Sequence, residues 1–141
     1  MAYQICLITL SILLTWHGVL YSLPQDTQIE SGSAEISYPD ANTMQINAAN
    51  NTVLNFSSFN IAQHETVIVN LPDQSSQILN RVMNGPQSDI AGTLRCNGLF
   101  VLVNPSGIYV APSANISAGS IILSTRDITN RNFIDKNYVF Q

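Results

Sequence analysis

Leu99-Phe100-Val101-Leu102-Val103-Asn104-Pro105-Ser106-Gly107-Ile108-Tyr109-Val110 joins two strand-like runs through one turn. The first five residues are apolar without alternation, the pattern of a strand buried on both faces. Ile121-Ile122-Leu123 repeats it. In a parallel β-helix one side of such a strand lines the interior, and a cap or an extra hairpin covers the other. The turn has a local mechanism: Asn first, Pro second and Gly fourth are the preferences of a type I turn. Pro105 pre-sets its φ, and the Asn104 side chain is placed to bond the loop backbone. Gly107 then releases the chain into Ile108–Val110.

Short apolar or alternating runs recur on either side of this stretch. Strands are expected at Ala34–Tyr38, Met44–Ala48, Val53–Phe56, Thr66–Asn70, Ile90–Leu94, Leu99–Val103, Ile108–Val110 and Ser120–Ser124. Turn residues separate them, among them Pro39-Asp40, Asn50-Asn51, Pro72-Asp73, Gly85-Pro86, Asn97-Gly98 and Ala118-Gly119. One helical turn is expected around Ser75–Val82. Fifteen asparagines all follow residue 22. Asn suits tight corners, and stacked Asn side chains form ladders. This spacing fits a sandwich or barrel as well as a solenoid. No strict repeat is visible, so composition alone leaves the architecture open.

The chain has 141 residues, and 45% of them are apolar, which excludes disorder driven by high charge. Residues 5–20 are uncharged and mostly apolar. They are too short for a membrane span of about 20 residues and, before the small Ser22, read as a secretory signal peptide over 1–22. The mature part, 23–141, then holds one thiol, Cys96, and no intrachain disulfide can form. Only 10% of residues are charged, five basic and nine acidic, a net −4. The first base is Arg81, so residues 23–80 carry six acids and no base. This excludes a basic nucleic-acid-binding surface there.

Enzyme chemistry finds no pattern. The acids Asp26, Glu30, Glu35, Asp40, Glu65, Asp73, Asp89, Asp127 and Asp135 are dispersed, with no two within three positions. Catalysis by paired carboxylates would need clustering across coils. His64 is expected on the surface, Cys96 in the core, and Arg81 in an ion pair. No Cys/His spacing suggests a metal, and no cofactor is implied.

Phe59-Asn60-Ile61, Leu79-Asn80-Arg81-Val82, Ile90-Ala91-Gly92-Thr93-Leu94, Asn97-Gly98, Asn104–Ile108 and Ser124–Asn130 follow one another in an order that resembles one family. The chain is similar to the N-terminal secretion domain of two-partner-secretion exoproteins, the filamentous haemagglutinin type. The family's Asn-Pro-Asn-Gly-Ile motif is kept at Asn104, Pro105, Gly107 and Ile108, with Ser106 replacing the second Asn. A second motif, Asn-Pro-Asn-Leu, has no clear counterpart. The resemblance implies an all-β chain: a right-handed, single-stranded parallel β-helix with an N-terminal cap and extra-helical strands. It implies a non-catalytic export domain. The Sec translocon would take the chain across the inner membrane by its signal peptide. An outer-membrane β-barrel transporter with periplasmic recognition domains would then release it to the cell surface or medium, where the β-helix nucleates. Asn104, Pro105, Ser106, Gly107 and Ile108 are the expected secretion motif, with Asn60, Asn80, Arg81, Asn97 and Gly98 as secondary positions. The family's exoproteins continue into long passengers, so this chain reads as a fragment, a product truncated at its C-terminus or a stand-alone module. The alternative implied by the family name is a surface adhesin for host glycans or proteins.

Overall fold

The computed structural model describes residues 23–141, and the export signal read at residues 1–22 lies outside them. The chain runs β1 (Gln28–Ser31), β2 (Ala34–Asp40), β3 (Thr43–Ala48), β4 (Thr52–Phe56), β5 (Thr66–Asn70), β6 (Gln77–Val82), β7 (Ser88–Ile90), β8 (Thr93–Val103), β9 (Ile108–Val110), β10 (Asn115–Ser124) and α1 (Asn130–Ile134). From β3 onward the strands wind into a parallel β-helix of about four turns. One face stacks β3, β5 and the first parts of β8 and β10. A second stacks β4, β6 and the second parts of β8 and β10. A short third face pairs β7 with β9. β2 lies antiparallel on β3, and β1 antiparallel on β4, so two reversed strands cap the N-terminal end.

Register explains why no repeat is visible in the sequence. Thr43 pairs with Thr66, Thr66 with Thr93, and Thr93 with Asn115. These intervals are unequal, and the difference is absorbed at the corners. Between the first two faces the chain spends Ala49–Asn51 in one turn and Leu71–Ser76 in the next. In the last two turns β8 and β10 run through the corner unbroken, with a bulge at Ala118/Ser120. Asn97-Gly98 and Ala118-Gly119 therefore bend a strand instead of ending it.

On the first face the interior takes Met44, Ile46, Val67, Val69, Leu94 and Cys96, all buried, while Gln45, Ile68 and Arg95 point outward. This is ordinary period-two alternation. On the second face Leu54, Phe56, Ile78, Val82, Phe100 and Leu102 line the same interior. The ring of Phe59 meets Phe56 edge-on at 5.2 Å and Phe100 at 5.9 Å. The outward residues Val53, Leu79, Val101 and Val103 are also buried, because Ile128 and Phe133 of the C-terminal segment lie on them. Both sides of these strands are apolar for that reason. The cover is a strap of residues 127–140 containing one helical turn, not a hairpin. Thr129 caps α1, its hydroxyl accepting from the Asn132 amide at 3.1 Å.

The helical turn expected around Ser75–Val82 does not form. Gln77–Val82 is strand β6, buried along its length between β4 and β8. With both sides packed, the segment shows neither period clearly, and the parallel ladder decides. The strand expected at Ile90–Leu94 divides into the end of β7 and the start of β8 at Ala91-Gly92. A Cβ on Gly92 would sit 2.1 Å from the Ala62 carbonyl oxygen, so the chain turns there with no side chain.

Candidate functional site

Asn104–Gly107 forms the corner between the second face and the third. Gly107 N–H donates to the Asn104 carbonyl at 3.0 Å and closes the four-residue turn. Ser106 N–H donates to Asn104 Oδ1 at 3.0 Å, the local side-chain bond the sequence calls for. Gly107 takes φ +111°, a conformation that disfavours a side chain.

The corner stacks on the one below it. Asn104 Nδ2 donates to the Pro86 carbonyl and to Ser88 Oγ, both at 2.9 Å. Ser106 Oγ donates to the Gly85 carbonyl at 2.8 Å, and Ser88 N–H to the Gly107 carbonyl at 3.0 Å. On its other side, Asn104 N–H donates to the Ser124 carbonyl at 2.9 Å. Only a primary amide offers two donors and an acceptor on so short a stem. Asn104 is fully buried, so its work is to hold the corner. Pro105 and Ser106 are the exposed residues, with Gly107 and Ile108 half-buried. Ser106, where the family motif has Asn, keeps a bond to the underlying coil.

The secondary positions do not gather at this corner. Asn60 lies two coils lower near the same edge, its Oδ1 accepting from Asp89 N–H at 2.8 Å. Asn97 occupies the opposite corner, where its amide both accepts from Leu71 N–H and donates to Leu71 C=O at 2.8 Å, as a strand backbone would. Gly98 beside it leaves no room for a Cβ, which would fall 2.3 Å from the Ser76 carbonyl. Asn80 is inside the helix, its Nδ2 donating to Val101 C=O at 3.1 Å.

Arg81 points outward and ties three parts of the chain together. Its guanidinium donates to Asp127 at 2.8 Å, Glu30 at 2.9 Å, Asn130 at 2.6 Å and the Ile128 carbonyl. This is the ion pairing the sequence reading expects, and it binds the cap strand β1 and the strap to β6. An open groove of about 610 Å³ runs beside it, lined by this network together with Met83, Thr129, Asn132, Val139 and Gln141. Sequence reasoning misses Gln77 and Ser88. Buried Gln77 bonds Asn51, the Phe133 carbonyl and the Tyr138 hydroxyl. No local pattern marks either residue.

Chemistry has little to start from. Cys96 is buried inside the first face, and desolvation pushes its thiol above the usual range, away from nucleophilic use. His64 is exposed. The hydroxyls of Ser75 and Ser76 and the Ser75 amide hold the exposed Asp73 carboxyl below its ordinary value. Among the described residues, no group of three or more His, Cys, Asp or Glu could hold a metal ion.

A family model, the TPS secretion domain, matches residues 21–141. Two relatives named heme/hemopexin-binding protein, both from Haemophilus influenzae, are 34% identical over 131 residues and 29% identical over 143. The alignments cover 89% and 98% of this chain but only 14% and 15% of those proteins. The crystal structure of the HMW1 secretion domain from Haemophilus influenzae matches at a TM-score of 0.80 and 31% identity, over 84% of this chain and 32% of that one.

Proposed function

Because the chain belongs to the TPS secretion domain family, we propose that it delivers its exoprotein to a cognate outer-membrane β-barrel transporter and then nucleates β-helix folding at the cell surface. Exoproteins of this kind are secreted through the periplasm, and the family implies such a transporter as partner. Entry by the Sec translocon and recognition by the transporter's periplasmic domains complete the route. The domain acts by shape and not by catalysis. Within it, the Asn104–Ile108 corner is the element export requires: Asn104 holds the shape, and Pro105 and Ser106 present it.

The observation that carries the reading is the difference between the two ends of the helix. Antiparallel β1 and β2 close the N-terminal end. At the other end the outer edge of β10 has no strand partner among the described residues. There Ile121 (38% exposed) and Leu123 (36% exposed) continue the interior rows of Phe100 and Leu102 into solvent. An unpaired edge carrying the next positions of an apolar core is a template for a further coil. A surface-adhesin role has no comparable observation behind it.

The test is release into the medium when the chain is co-expressed with its transporter. Asn104→Ala with Gly107→Ala removes the amide and strains the turn. Release is expected to fall severalfold, while Asn97→Ala, which costs similar bonds at the opposite corner, leaves most of it. Undiminished release of the double variant would remove the corner from the mechanism.

A further inference from the structure

β6 raises a question its apolar residues do not answer. On the first face a one-residue slip would turn Leu94 and Cys96 outward and Arg95 inward, so the pattern fixes register there. The second face lacks that protection. Leu99, Phe100, Val101, Leu102 and Val103 are apolar in succession and packed on both sides. A slip of this part of β8 over β6 exchanges one apolar set for another. The first face does not forbid it, because the corner at Asn97-Gly98 absorbs single residues. One turn higher, that two-residue step is faced by Gly119 alone.

Arg81 settles which side of β6 faces out, since turning it inward would bury an unpaired guanidinium. That leaves open which residue of β8 lies above each residue of β6. Asn80 is fully buried in the interior row between Leu54 and Leu102, where an apolar side chain is the ordinary choice. Its Nδ2 reaches up to the Val101 carbonyl at 3.1 Å, and its Oδ1 has no hydrogen-bond partner. A half-satisfied amide in an apolar core weakens the fold, and a buried polar group of this kind is best attested as a device for fixing register. We infer that Asn80 is a positioning residue: it locks β8 over β6 in one register and so places Asn104 on its partners in the corner below. The path is short, since Leu102, paired with Asn80, is two residues before Asn104. A slip of one residue, about 3.3 Å, would carry Asn104 off the Pro86 carbonyl and Ser88 Oγ.

The test uses the full chain with Asn80→Leu, read by thermal melting and by two-dimensional amide NMR. The expected result is a melting midpoint at or above wild type, with amide signals of residues 99–108 split into two or more sets. A residue that merely stabilised the core would lower the midpoint and keep one set. One set with wild-type shifts for the Asn104 side-chain amide overturns the inference. If Asn80→Leu does not fold, Asn80→Val is read in the same way, and failure of both also overturns it. The link to the corner rests on the export reading above, so release with the transporter is measured in parallel. Doubled signals with severalfold lower release support the link, and doubled signals with normal release break it. If wild type itself is not released, the export reading fails, while the spectra still decide the register.

Discussion

On one face of the helix, built from β3, β5 and the first parts of β8 and β10, outward residues such as Arg95 and Ser117 meet solvent. On the adjoining face, outward Val53, Leu79, Val101 and Val103 lie beneath Ile128 and Phe133 of the strap. The same coils, with the same parallel pairing, therefore follow two rules. The bare face is held by alternation: apolar in, polar out. The strapped face is apolar on both sides, and its order comes from a few buried polar groups. Gln77 and Arg81 grip the strap near the two ends of β6, and Asn80 looks inward between them. Covering a face buries more apolar surface but removes the hydrophobic signal that sets register. Specific hydrogen bonds take over that task.

The two faces differ most sharply at two outward positions of one coil. Leu79→Asp buries a carboxylate under the strap and is expected to cost more than about 4 kcal/mol, enough to undock the strap or unfold the chain. Ile68→Asp is the matching outward change on the bare face and is expected to shift stability by less than about 1 kcal/mol. Urea unfolding of both variants checks the contrast. Similar losses would mean that the two faces are covered alike. Phe133→Ala comes next in size. Its ring is fully buried against the strapped face, and truncation is expected to cost about 3–5 kcal/mol. Hydrogen exchange would show the damage confined to the strap and the face beneath it, β4, β6 and the second parts of β8 and β10. Equal loss of protection along β3 and β5 would contradict an independent cover.

The two faces also differ in how far they could be read from sequence. β3 and β5 alternate cleanly, and their ranges are legible to within a residue. β6 reads as a helical turn in the sequence because all six of its residues are buried, leaving no periodicity to detect. The strap is not legible as the cover: residues 125–141 look polar, and only Ile128 and Phe133 are fully buried, with Phe140 packed against them. At the corner, the turn was legible because the Asn104–Ser106 bond spans two residues. The bonds from Asn104 to Pro86 and Ser88 span 18 and 16, and nothing local announces them. The partners of Gln77 and Arg81 are farther still. The family resemblance supplied the solenoid, which fixes those pairings, where composition had left a sandwich open.

Cys96 gives the smallest and most selective probe of the bare face. Its thiol points into the interior row with Val69, and burial raises its pKa above the ordinary value. The sign follows directly. A thiol that ionises less readily when folded contributes stability that is intact below its unfolded pKa, about 8.5, and is lost as pH rises from there toward the folded value. Above that point the unfolded chain releases the proton first and is favoured. The stability difference between wild type and Cys96→Ala should therefore be constant from pH 6 to 8 and shift against wild type as pH rises above about 8.5. Tyr138, whose hydroxyl is also raised by burial, is present in both proteins and drops out of the difference. Urea midpoints at each pH measure it, and iodoacetamide labelling at pH 8 adds the rate at which the bare face opens. If Leu79→Asp undocks the strap without speeding that labelling, the interior row on the bare face stays closed when its neighbour's cover is gone. Faster labelling would show that the strap holds both faces, and the two-rule description would have to give way to a single cooperative one.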